Sequence, residues 1–202
     1  MKTITTILLV LTVLCVQAQE KFSAGIQIEG IRSTPKNLFS PYAIMDKEFG
    51  AGAGVYFLAN IWKSFSANTG LNYRTISYDC FQNNYTNYSS QISSVDSYTY
   101  KQNYLVVPVN LRKSFLNNWL FVETGIELNW ILGREDKKPK NELLWKIGVG
   151  SKLGKLNYSL NYLWGNKEQK DMLIKGDKFA PVVYNSRMLQ FKVSYPLWQK
   201  NK

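Results

Sequence analysis

Residues 104–132, YLVVPVNLRKSFLNNWLFVETGIELNWIL, decide how the chain is read. The segment divides into two apolar arms around the tight turn Leu116-Asn117-Asn118. On the second arm Leu120, Val122, Thr124, Ile126, Leu128, Trp130 and Leu132 share one face, and Phe121, Glu123, Gly125, Glu127 and Asn129 share the other. Period-2 alternation of this kind is the signature of a β-strand with unlike faces. The first arm repeats it, with Leu105, Val107, Val109 and Leu111 against Tyr104, Pro108, Asn110 and Arg112. A strand in a soluble sheet is usually about five or six residues long, whereas each arm reaches the roughly 9 to 11 residues that a tilted strand needs to cross a bilayer. One face suits hydrocarbon and the other carries charge, so the segment reads as a membrane-spanning β-hairpin.

The same alternation recurs outward from it. Strands are predicted at 22–31, 50–62, 65–78, 142–153, 156–164 and 186–198, which with the central hairpin makes eight. The connections alternate in length: 32–49 long, Lys63-Ser64 short, 79–97 long, 116–118 short, 133–141 intermediate, Gly154-Lys155 short, 165–185 long. A membrane barrel has tight turns at one end and longer loops at the other. A soluble eight-stranded barrel has no reason to collect its short turns at one end. The expected fold is therefore all-β, an eight-stranded antiparallel up-and-down transmembrane β-barrel occupying 19–202. Pro108 removes a ladder donor inside one strand and is expected to mark a bulge.

Ahead of the barrel, Lys2 precedes an apolar run from Ile4 to Val16, and Val16-Gln17-Ala18 offers a cleavage site, so 1–18 reads as a signal peptide. A lipoprotein reading would use Cys15, but bulky Leu14 before it fits a lipobox poorly. Cleavage removes Lys2 and no acid, taking the formal charge from +11 to +10. Those charges are scattered, and an exported chain rarely meets nucleic acid, so outer-membrane lipid is the expected partner and nucleic acid is not. Only Cys80 would remain, excluding an intramolecular disulfide.

No catalytic, cofactor or metal site is predicted. The chain has no His, which removes the Ser-His and His-Asp arrangements of envelope hydrolases. Cys80 has no base or metal-binding companion. Glu123 and Glu127 lie roughly 13 Å apart along their strand, too far for two carboxylates to act on one bond.

Three groups of residues remain as candidates. The polar faces contribute Glu29, Arg74, Arg112, Glu123, Glu127, Lys146 and Lys192, expected to form a charge network in a barrel only wide enough for its own side chains. The six Trp fall near strand ends, Trp62, Trp119 and Trp198 toward the short turns and Trp130, Trp145 and Trp164 toward the long loops, as two interfacial belts would. Beyond the membrane, Phe81, Tyr85 and Tyr88 in 79–97 and Val182 and Tyr184 in 165–185 are candidate contacts for a protein partner.

Gln102 to Val109 (QNYLVVPV), Phe121 to Gly125 (FVETG), Met188 to Phe191 (MLQF) and the Gln17-Ala18-Gln19 signal end together resemble the outer-membrane β-barrel proteins of the Bacteroidota that include PorT-like proteins. Two departures stand out. Val106 occupies a position where that family often has Glu, and Gln199 to Lys202 follow Trp198 where the family's last strand commonly ends on its aromatic. The resemblance implies an integral outer-membrane protein with a structural or interaction role, in its most specific form a part in protein secretion. A small pore or transport accessory is the alternative, and a soluble periplasmic calycin-like binding barrel the second.

Overall fold

The computed structural model of the 202-residue chain describes residues 21–34, 36–37, 43–45, 48–86, 89–117, 119–132, 141–165, 169–175 and 178–201. For 21, 37, 43–45, 48, 78, 80–86, 89–98, 100, 169–175, 178–184, 200 and 201 the description extends to the backbone alone. The predicted signal 1–18, the charged stretch 133–140 and Tyr88 lie outside the described residues.

Twelve strands run in chain order among the described residues: β1 (Lys21–Ser33), β2 (Lys36–Asn37), β3 (Ala43–Met45), β4 (Glu48–Trp62), β5 (Phe65–Thr86), β6 (Ser89–Phe115), β7 (Leu120–Leu132), β8 (Glu142–Leu153), β9 (Leu156–Gly165), β10 (Gln169–Lys175), β11 (Lys178–Asn185) and β12 (Arg187–Asn201). Eight of them, β1, β4, β5, β6, β7, β8, β9 and β12, pair antiparallel with their neighbours in sequence, and β12 returns to β1. The result is a closed up-and-down barrel. Closure leaves no sheet edge in the wall and satisfies the backbone from strand to strand.

The register fixes the barrel's girth. Stepping through paired residues from Arg32 leads to Leu189, Tyr162, Ile147, Thr124, Leu111, Ala67, Ala59 and back to β1 at Phe22, a stagger of ten residues. Eight strands with that stagger tilt by about 40° and enclose a space that side chains can fill. Three short turns hold one end. Lys63, Leu116 and Asn117 take positive φ there, as does Gly154 at 61°.

Polarity runs inside out. Among the described residues, twenty-two polar or charged side chains are buried against nine hydrophobic ones. Large apolar side chains instead face outward on all eight barrel strands, for example Ile26 and Ile28, Val55 and Phe57, Leu71 and Tyr73, Val109 and Leu111, Leu120 and Val122, Ile147 and Val149, Leu160 and Tyr162, and Leu189 and Phe191. On β8 the outward row from Leu143 to Leu153 is apolar except at Ser151. At about 3.3 Å per residue and a tilt of about 40°, that row rises about 25 Å along the axis.

Three expectations are corrected. Residues 79–97 are largely strand: β5 and β6 continue as a paired ribbon from Asp79↔Thr99 to Thr86↔Ser89. Residues 165–185 contain the β10–β11 hairpin, whose β11 pairs with β2, and 32–49 contain β2 and β3. Polar segments beyond the apolar band need no hydrophobic face, yet their backbones still gain by pairing. Pro108 makes no bulge either. It faces inward opposite Glu127 in unbroken register, and the ladder to β5 is left open between Thr69↔Val109 and Asn72↔Val106, where the missing amide falls. Register shifts fall elsewhere in the wall, between Asn60 and Trp62 where β4 meets β5 and at Ala24/Gly25, and the second turns both Leu197 and Trp198 outward.

Candidate functional site

The interior is built by register. Gly52 of β4 lies between Glu29 of β1 and Arg74 of β5 on the paired strands. A side chain there would collide with Glu29, since an added Cβ would sit 2.6 Å from Glu29 Oε1. The bare glycine lets the Glu29 carboxylate cross β4 to Arg74, whose Nε donates to Glu29 Oε1 at 2.7 Å and whose Nη2 donates to Glu127 Oε2 at 2.8 Å. On the opposite wall Arg112 stands directly across from Glu123, with Nη2 3.0 Å from Oε2. Lys146 pairs with Gly125, the position between the two β7 acids, so its ammonium reaches Glu123 Oε1 at 3.1 Å and Glu127 Oε1 at 3.8 Å. Lys192 adds a third cation to Glu123 at 3.1 Å.

All seven charged residues singled out from the sequence thus meet in one buried network, four cations on three carboxylates. Taking two or more ions out of water is expensive, and only dense mutual pairing offsets it. Geometry also corrects one argument. Glu123 and Glu127 are far apart along β7, but both bend onto the Lys146 ammonium, so their carboxylates converge. Strand spacing alone therefore does not separate them.

Sequence reasoning missed the neutral members. Gln190 Nε2 donates to Glu29 Oε2 at 2.7 Å and to Glu127 Oε1 at 3.3 Å, and its Oε1 accepts from Asn161 Nδ2 at 2.9 Å. Gln27 Nε2 donates to Asn72 Oδ1 at 2.6 Å. Phe121 slides under Arg112, whose guanidinium lies 3.8 Å from the ring centroid. The available signal was parity: each sits on the inward phase of its strand.

The Trp candidates all lie on the outer wall or its rims. Trp62, Trp119 and Trp198 are exposed at the short-turn end, where Trp62 stacks on Phe65 at 6.3 Å and Trp198 packs on Phe22 at 5.7 Å. Trp145 pairs with Trp164 across β8 and β9 toward the other end, and Trp130 follows on β7. Phe81 and Tyr85 fall on the ribbon of β5 beyond the barrel wall, and Val182 and Tyr184 on β11; their side chains lie outside the described residues. Among the described residues no group of three or more metal-binding side chains comes together.

The network fills the middle of the lumen, so planar-bilayer recordings of the refolded protein should show no steady conductance. Large, reproducible single-channel steps would mean that the network opens.

No family model and no curated protein matches the chain. Among solved structures it is similar to the outer-membrane protein AlkL in lipid bilayers, at 10% identity over 88% of this chain and 90% of that one, with a TM-score of 0.48. It is also similar to Ail, the attachment invasion locus protein of Yersinia pestis, in complex with the heparin analogue sucrose octasulfate, at 12% identity over 88% and 99%, with a TM-score of 0.44. A third likeness is to the beta domain of the Bordetella autotransporter BrkA, at 10% identity over 87% and 100%, with a TM-score of 0.33. The architecture itself rests on the strand pairing: a closed, eight-stranded antiparallel barrel, apolar outside and charged within.

Proposed function

We propose that this chain is an integral outer-membrane β-barrel with a structural or interaction role and no enzymatic one. The observation that carries the reading is the inverted polarity: a continuous apolar exterior around a buried ionic core. Exposed in water, such a belt would far exceed the few hundred Å² of apolar patch that soluble monomers tolerate. A calycin-like binder needs the reverse arrangement, and the filled lumen disfavours a pore. In the orientation usual for such barrels the short turns face the periplasm and the β5–β6 ribbon projects outside. Recognition of a protein partner then belongs to that ribbon and the β10–β11 hairpin. A PorT-like part in secretion is the finest version of this reading, and its support is the resemblance of 102–109, 121–125 and 188–191.

Cell fractionation followed by gel electrophoresis tests it. The protein should appear with outer membranes and migrate faster unheated than boiled, because a closed barrel opens slowly in detergent. Recovery in the soluble periplasmic fraction would overturn the proposal.

A further inference from the structure

At the short-turn end the lumen widens into a vestibule of about 310 Å³. Lys63 of the β4–β5 turn stands at its mouth, with its ammonium 5.1 Å from the Trp62 ring centroid, and Lys152 from the end of β8, Arg112 and Phe121 line it. Among the described residues no carboxylate lines it. Arg112 is buried, and its Nε makes no hydrogen bond among the described residues. The acid nearest that guanidinium, Glu123, already holds Arg112, Lys146 and Lys192 on a single carboxylate, so the surroundings of Arg112 stay net positive. Neutral groups fit the same sign. Ser66 Oγ donates to Asn60 Oδ1 at 2.7 Å, which occupies the amide's acceptor and leaves its NH2 as a donor.

We propose that this vestibule binds a phosphate-type oxyanion, inorganic or at the end of a small soluble molecule, between Lys152 and Arg112, with Lys63 swinging in from the Trp62 ring at the mouth to close on it. Cationic donors around a recess partly walled from bulk water are the arrangement that strengthens charge-assisted hydrogen bonds to phosphate. The volume exceeds that of one phosphate and admits a diphosphate or a small phosphomonoester. Access runs along the barrel axis because the wall is closed, so the source is the aqueous compartment and not a headgroup of the surrounding leaflet.

The test is calorimetric titration of the full barrel in uncharged maltoside micelles with pyrophosphate, phosphate and chloride. Saturable one-site binding is expected for pyrophosphate, weaker binding for phosphate and none for chloride. Lys63→Asn with Lys152→Gln should weaken pyrophosphate by about tenfold or more, since each lost contact is a charge-assisted one. Asn is chosen at 63 because it tolerates the positive φ of that turn. Lys101→Gln at the far end should change nothing, and heat-modifiability should show all variants folded. Arg112 is left alone because it holds Glu123. Absence of saturable binding, or equal binding by the double variant, would overturn the proposal. Displacement of pyrophosphate by phosphatidylglycerol added to the micelles would overturn the axial route and assign the recess to a lipid headgroup.

Discussion

Arg74→Met should destabilise the refolded barrel by about 3 to 5 kcal/mol, the range for stripping one partner from a buried ionic cluster. Arg74 is completely buried and joins two carboxylates drawn from different parts of the wall, Glu29 at 2.7 Å and Glu127 at 2.8 Å. Methionine fills much of the volume, so the loss is chiefly electrostatic. Glu127 keeps Lys146 at 3.8 Å, whereas among the described residues Glu29 keeps only the Gln190 amide. Glu29 is therefore the acid left worst off, and adding Glu29→Gln to Arg74→Met should restore more of the stability than adding Glu127→Gln. Urea titrations of folding into lipid vesicles, followed by Trp fluorescence, measure all three. A change below about 1 kcal/mol for Arg74→Met would mean that water reaches Glu29 and that the lumen is not closed at this level.

The barrel was legible because hydrocarbon and lumen impose opposite demands on successive residues. On β7 every outward and inward assignment from Leu120 to Leu132 follows from alternation alone, and the short turns mark one end. Legibility stopped where that demand stops. Beyond the apolar band the β5–β6 ribbon has no face to bury, so Asp79 to Ser97 carries Asn, Ser and Tyr with no hydrophobic alternation, and its composition reads as loop while its backbone pairs to Thr86↔Ser89. The β10–β11 hairpin escaped for a different reason: Met172-Leu173-Ile174 and Phe179 to Val183 are apolar but consecutive, without period-2 alternation, and Pro181 argues against a strand. In the lumen, parity picked out the charged residues but not their partners. Partnership depends on register across several strands and on gaps such as Gly52, through which Glu29 passes. Pro108 shows the limit from the other side: a rule about lost donors anticipated a bulge, and the ladder instead left two β5 positions unpaired while keeping its register.

The outer wall should respond to charge more sharply than the lumen. Ile126 sits midway along β7, flanked by Val109 on β6 and Trp145 on β8, so Ile126→Arg puts a guanidinium inside the apolar band and should cost about 2 to 4 kcal/mol. Val122 points the same way but lies four residues nearer the short-turn end. Val122 pairs with Val149, close to the middle of the outward row of β8, so Val122→Arg should cost about the same, about 2 to 4 kcal/mol. Glu127→Gln, one residue from Ile126 but facing inward, should cost less than either arginine. It keeps a polar group for Arg74, which retains Glu29, and Lys146 retains Glu123. The same vesicle titrations rank the three. If Glu127→Gln proves more damaging than Ile126→Arg, the face called outward is not in hydrocarbon. If instead both arginines cost less than about 0.5 kcal/mol, the outer wall faces water, as expected of a soluble barrel.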